Sequence, residues 1–255
     1  MQERATFSER DPALGVALAH QNGGMGRFLI IAAMSGIGSA ACDLLRQSGH
    51  DVLATARGAA SGVDIVLDAT DFDAVDRAVA EAGPLDGVAC FAGSMLLKPA
   101  HLTSRDQYDD VIAASLTTAF ATVRAAGRHL RSGGSVVLVS SAAAMAGLSN
   151  HDAIAAAKAG VIGLMLSAAA SYASQGLRIN AVAPGLTRTP LTAGLTASEG
   201  SRKVSEAMHA LGRLGEPADV ARGVAFLLDP ANDWITGQVL GIDGGLGHVR
   251  PKVRA

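Results

Sequence analysis

This sequence is short of the features that mark most specialised partners. Cysteine is nearly absent. Cys42 and Cys90 are the only two in 255 residues, lie far apart and form no CxxC pair. They suit a reducing compartment and cannot by themselves build a metal cage or a disulfide framework. Charge is also scarce, at 17% of residues, and Lys plus Arg (21) fall just short of Asp plus Glu (23). Without a basic surplus to neutralise a phosphate backbone, the composition argues against a dedicated nucleic-acid binder. No apolar run reaches the roughly 20 residues of a spanning helix; after Lys158 the longest uncharged apolar stretch is Ala159–Ala170. The N-terminal residues are not expected to act as a secretion signal. Ala13–Ala19 is short, and Glu3, Glu9 and Asp11 outnumber Arg4 and Arg10 before it. Residues 1–26 read as a flexible arm, with Met25 an alternative start, and a cytoplasmic location is the default expectation. There is no Walker loop, no His-Glu-x-x-His and no Gly-x-Ser-x-Gly.

What is present is apolar mass: 49% of residues are hydrophobic and 30 are glycine. That is enough to offset chain entropy in one well-buried domain, taken as 27–255, and the chain is too short for two enzymatic ones. Short Val, Ile and Leu runs at Phe28–Ala33, Asp51–Thr55, Val63–Leu67, Gly87–Phe91, Ser135–Ser140, Arg178–Ala183 and Gln238–Ile242 read as strands. Helical patterns fall between them, at about Gly36–Ser48, Asp71–Ala82, Arg105–Arg131, Asp152–Ser174 and Pro217–Leu228. Such alternation predicts an α/β doubly wound domain: a parallel sheet of about seven strands with helices on both faces. Ala153–Ala170 is apolar around almost its whole circumference, so both its sides should be covered. The sheet can cover one, and either a second subunit or the chain's own loops the other.

The chemistry-bearing segments sit where strands end. The first strand runs into Ser35-Gly36-Ile37-Gly38 and then a helix, a junction at which glycines let the backbone approach a pyrophosphate at the helix N-terminus. The second strand ends in Ala56-Arg57, where an NAD-preferring site would place an acidic residue. Arg57 could grip a 2′-phosphate with its guanidinium, or it is a solvated surface residue.

In order and spacing, the motifs from about Arg27 to Gly247 resemble the short-chain dehydrogenase/reductase family. Ser35-Gly36-Ile37-Gly38 resembles the end of its cofactor loop, Asp68 its adenine-contacting aspartate, and Ala92-Gly93 the end of its Asn-Asn-Ala-Gly turn. Ser141 and Lys158 match the catalytic serine and lysine, while the Asn180–Gly185 segment, with Pro184, Gly185 and Thr189, matches the nicotinamide loop. Gly237 and Asp243-Gly244-Gly245 resemble the C-terminal signature. The resemblance implies a Rossmann-type fold, an NADP cofactor (NAD being possible), a small-molecule substrate and a homo-oligomer, dimer or tetramer. Composition and the lengths of the apolar runs lead us to expect no metal and no membrane or nucleic-acid partner.

Departures from the family pattern lie in its catalytic set. The family's tyrosine, four residues before the lysine, corresponds to Ile154, which carries no proton; Ser141 lies thirteen residues earlier, so the register holds. The helix asparagine of the proton relay corresponds to Ser115, the first cofactor-loop glycine to Ala32, and the first Asn of the turn to Cys90. His151, seven residues before Lys158, is a candidate substitute acid or else part of the helix cap. Two readings follow. One is an oxidoreductase in which Ser141 holds the substrate, Lys158 the nicotinamide ribose, and His151, Ser115 or water the proton. The other is a non-catalytic NADP(H)-binding sensor or silent partner subunit. Leu186–Leu211 should form the lid, its Leu191, Leu195, Met208 and Leu211 suggesting an apolar ligand.

Overall fold

In the computed structural model, which describes residues 24–250, seven parallel strands form one sheet in the order β3-β2-β1-β4-β5-β6-β7. The strands are β1 (Arg27–Ile31), β2 (Asp51–Ala56), β3 (Ile65–Val66), β4 (Gly87–Cys90), β5 (Gly134–Val139), β6 (Leu177–Pro184) and β7 (Val239–Ile242). Their near-continuous apolar character follows from burial on both faces. One face packs Leu29, Val88, Val136 and Ile179 against Val75, Val161 and Met165. The other packs Phe28, Ile30 and Val137 against Leu45, Val224 and Leu227. Helices α1 (Gly36–Gln47) and α7 (Pro217–Leu228) therefore lie on one side, and α2 (Phe72–Glu81), α4 (Thr118–His129) and α5 (Asp152–Tyr172) on the other. The fold class predicted from strand–helix alternation is the one observed.

Sheet topology fixes where a ligand can bind. β1 pairs with β2 on one side and with β4 on the other, so the chain reverses its direction of travel across the sheet at β1. Connections leave the β1 and β4 carboxyl ends in opposite directions and open a crevice there.

Several elements differ from expectation. β3 is only Ile65–Val66, because it is an edge strand whose Ala54 and Ala56 neighbours are met mainly by single backbone bonds from Asp64 and Leu67. The expected Arg105–Arg131 helix is broken: α3 (Arg105–Ile112) passes through a π-turn at Ala113–Thr117 before α4 begins. A helix within the lid, α6 (Glu199–Met208), was not expected at all. α5 buries one face only. Val161 and Met165 are fully buried, whereas Leu166 is 52% exposed, so nothing described here covers the second side. With its 3-10 extension, Asp152–Gln175 is long and apolar enough to cross a membrane by length and composition alone, but its packed face makes it a core helix. The expected N-terminal arm falls almost wholly in residues 1–23, outside the described residues.

Candidate active site

Loops at the carboxyl ends of six strands line two cavities, one of about 610 Å³ and one of about 140 Å³. Ser35, Phe91, Ala92, Gly93 and Ser94 line both, so the two are halves of one crevice.

The loop after β1 turns sharply because Ala32 takes φ +58°, a left-handed conformation favouring glycine. Ser35 caps α1, its Oγ accepting from the Gly38 N–H at 3.1 Å. Gly38 lines neither cavity; a Cβ there would meet the Ala32 carbonyl oxygen at 2.6 Å, so glycine lets the helix seat against the loop. Gly36 and Ile37 face the smaller cavity. A Cβ on Gly36 would meet Thr189 at 2.8 Å, which holds the loop after β6 close to the α1 N-terminus. Exposed N–H groups and the positive end of the helix there suit a phosphate.

The larger cavity takes Arg57 and Asp68 from the ends of β2 and β3. The Asp68 carboxyl accepts from the Thr70 N–H at 2.9 Å and the Thr70 hydroxyl at 2.8 Å. Those bonds, with a smaller contribution from the Arg57 charge, hold it below the usual carboxylate range. Among the described residues Arg57 forms no ion pair, which leaves its guanidinium available to the cavity.

The smaller cavity takes Ser141, Ile154, Lys158, Pro184, Gly185 and Thr189, the set expected from sequence, around one space. Ser141 caps a short turn through its Oγ, which accepts from the Ala143 N–H at 3.1 Å. Its own hydroxyl proton remains for a ligand. Lys158 is buried, and its ammonium donates to the Val139 carbonyl at 2.7 Å. Burial pushes its pKa down to about 8. Ile154 packs among Val111, Ala153 and Ala157, 3% exposed, with one edge on the cavity.

Ser115 sits in the π-turn, buried, its Oγ without a hydrogen-bond partner. It lines neither cavity but stands behind Gly93: a Cβ at 93 would lie 3.3 Å from Lys158 Nζ and 3.9 Å from Ser115 Oγ. His151 is not brought to the site. Its Nδ1 bonds the Ser149 carbonyl at 2.8 Å at the start of α5, and it lines neither cavity, which corrects the substitute-acid expectation. Of the four lid residues only Leu191 reaches the smaller cavity, because the 3-10 turn carries Leu195 past it and α6 turns Met208 outward. Leu211 lies instead beside a separate cavity of about 320 Å³ with Gly185 and Asp243.

Sequence reasoning missed Ser94, which lines both cavities with a buried, unpartnered Oγ, and Asp110, which reaches the larger cavity from α3. Adjacency to Ala92-Gly93 could have flagged Ser94; Asp110 belongs to no motif.

A family model described as enoyl-(acyl carrier protein) reductase matches residues 31–247. The cis-4-hydroxycyclohexanecarboxylate dehydrogenase of Sinomonas cyclohexanicum is 38% identical over 239 residues, covering 85% of this chain and 94% of that protein. The 3-oxoacyl-[acyl-carrier-protein] reductase of Thermotoga maritima is 35% identical over 240 residues, covering 86% and 96%. Among solved structures, ElxO with NADP bound superposes with a TM-score of 0.81 at 28% identity, covering 88% of this chain and 99% of its own. Ligand-free aldohexose dehydrogenase from Thermoplasma acidophilum gives a TM-score of 0.82 at 29% identity, with 91% and 98% covered.

Proposed function

Because this chain belongs to the short-chain dehydrogenase/reductase family, we propose that it is an NADP(H)-dependent oxidoreductase interconverting a secondary alcohol and a ketone. In this reading isoleucine stands where the family places its proton-donating tyrosine. One observation carries it: Ser141, Ile154 and Lys158 share a small cavity that is continuous with a larger one holding Arg57 and Asp68.

The residues fit the cofactor. Ser35, Gly36 and Ile37 offer the α1 N-terminus to a pyrophosphate, Asp68 an acceptor to adenine, and Arg57 a fork to a 2′-phosphate. Ala92 and Gly93 form the wall between the two halves. Pro184, Gly185 and Thr189 frame the nicotinamide end, and the Lys158 ammonium has two N–H groups left for ribose hydroxyls. When bound, the cofactor supplies or accepts a hydride. Ser141 orients the substrate oxygen, and the walls of Ile154, Leu191 and Phe91 exclude water and favour an apolar carbon skeleton. The names of the two curated relatives, a hydroxycyclohexanecarboxylate dehydrogenase and an oxoacyl reductase, agree with such a substrate class. Two unpaired buried cysteines fit a cytoplasmic setting, and the uncovered face of α5 fits a homodimer or tetramer.

Calorimetric titration with NADPH and NADH, beside turnover on a panel of simple ketones, tests the reading. NADPH should bind more tightly, the charge-assisted Arg57 contact contributing roughly 1.5–3 kcal/mol. Equal binding or tighter NADH removes the argument. The apolar packing around Ile154 also supports a second reading, a non-catalytic NADP(H) sensor or silent partner subunit. Tight NADPH binding with no turnover, and no gain on Ile154→Tyr, would favour it.

A further inference from the structure

Removing the phenol leaves a question of proton supply, and the cavity narrows the answer. Among the residues lining the smaller cavity, Lys158 is the one ionisable side chain; the rest are apolar residues, glycines, serines and threonines. His151 lines neither cavity, and its Nδ1 bonds the Ser149 carbonyl. Of the two tyrosines, Tyr108 and Tyr172, neither lines either half of the crevice. Serine and threonine hydroxyls relay protons but do not store one near neutral pH.

We propose that Lys158 is itself the proton-transfer group of this enzyme, acting directly on the substrate oxygen rather than through a neighbouring phenol. The proposal rests on the oxidoreductase reading above and adds the identity of its acid and base. In the reductive direction the carbonyl carbon gains a hydride from the reduced nicotinamide. Its π pair moves onto oxygen, and that oxygen takes a proton from Nζ as an N–H bond breaks, leaving an alcohol and a neutral amine. Oxidation runs the same steps backwards, the amine receiving the hydroxyl proton.

Local structure supports both states of the amine. Nζ is held by the Val139 carbonyl, which accepts from an amine as well as from an ammonium, so losing a proton costs no anchor. The helix is fixed independently, because Ser140 Oγ donates to the Lys158 backbone carbonyl at 2.9 Å. No carboxylate pairs with the ammonium among the described residues; from β4 the Cys90 thiol faces it, from the π-turn Ser115, and from β5 only the carbonyl. Burial in that setting brings the pKa down to about 8, within reach of working pH, where an ion-paired lysine would stay charged. Resupply has a path. Ser94, which lines both cavities, carries a buried, unpartnered Oγ, and Ser115 Oγ, likewise unpartnered, lies across Gly93 from Nζ. Hydroxyls that both donate and accept pass protons onward.

Two measurements test the proposal. In the cofactor-free protein, NMR titration with isotope-labelled lysine should show one of the four lysines, Lys98, Lys158, Lys203 and Lys252, titrating near 8. That resonance should vanish in Lys158→Met. All four titrating above pH 10 would overturn the proposal. In kinetics with NADPH and a ketone, kcat should be flat below about pH 8 and fall tenfold per unit above it, with the opposite limb for alcohol oxidation. Lys158→Arg keeps the positive charge but cannot release a proton, so kcat should fall about 10²–10⁴-fold. Because Lys158 also faces the cofactor ribose, NADPH affinity is read by fluorescence in parallel and kcat is compared at saturating NADPH, where the fall should persist. Lys158→Met serves where the guanidinium does not fit beside Gly93. Wild-type turnover that Lys158→Arg leaves within threefold overturns the lysine assignment alone. Cofactor binding without turnover of any ketone or alcohol overturns it together with the oxidoreductase reading.

Discussion

Single residues carry most of what distinguishes this site from its family pattern. Ala32 is held at φ +58° where the family has glycine. A left-handed alanine costs roughly 1–2 kcal/mol, partly offset by the extra chain entropy glycine would lose. Ala32→Gly should therefore stabilise the protein by about 0.5–1 kcal/mol, seen as a rise of about 1–3 °C in thermal melting; an unchanged or lower Tm would contradict it. Lys158 has the opposite character, a charge kept where burial opposes it. Its folded pKa, near 8, lies below that of the unfolded chain, so between about pH 8 and 10.5 the unfolded state binds more protons. Stability of the wild type relative to Lys158→Met should accordingly grow as pH rises through that window, a trend chemical denaturation at several pH values would read. Ile154→Tyr should raise ketone reduction measurably, and only partly, because a ring must displace Val111 and Ala157 from a packed cluster. The proposed departures at Ala32 and Ile154 rest on motif spacing alone. The orientation of His151 was not legible there, since a residue at a helix start can face the loop or the groove, and the Ser149 carbonyl decides which.

At the level of elements, strands and helices were legible wherever the apolar period was continuous. Irregularity was hidden. The π-turn at Ala113–Thr117 leaves the apolar pattern of the helix almost intact, so Arg105–Arg131 read as one rod. Its effect is local: it turns Ser115 inward behind Gly93. α6 was missed because its charged and small residues pack against little of the core, and none of its ten residues is buried. Helix starts follow plainer rules. Asp219, in the first turn of α7, completes a capping box with the N-cap Glu216, accepting from the Glu216 N–H at 2.9 Å and from Arg213 and Arg222 at 2.6 Å each. The Arg213 bond above all, then the backbone N–H, lowers its pKa to about 2. A carboxylate so depressed stabilises the fold above the ordinary carboxylate range and loses that contribution as pH falls through its folded pKa. Asp219→Asn should thus cost about 1 kcal/mol at neutral pH, with the gap to wild type closing between about pH 4 and 2. Denaturation midpoints across that range would check it, and a gap that persisted at pH 2 would count against the assignment.

For the molecule as a whole, the doubly wound sheet was readable because each strand is short, apolar and separated from the next by a helical pattern. What neighbours what was not, since pairing β1 with β4 joins residues some sixty positions apart. The proposed association rests on exposure. Phe120 on α4 is 48% exposed and Leu166 on α5 52%, on the face the sheet leaves uncovered. Leu166→Glu should shift the mass measured by light scattering toward a monomer, and a wild type already monomeric at micromolar concentration would rule the interface out. A parallel sheet has one further effect. All its strands point the same way, so the loops lining the crevice emerge on one rim, and among the described residues the opposite rim holds returns such as the exposed turn at Gly83, where an added Cβ meets nothing within 4 Å. One rim is committed to chemistry and the other is free for engineering. A flexible ten-residue tag or small reporter inserted after Gly83 closes a loop at a cost of about 1–2 kcal/mol and should leave NADPH affinity untouched. The same insert after Gly93 should abolish it. The protein can in this way be tethered, labelled or fused by its back without disturbing its front.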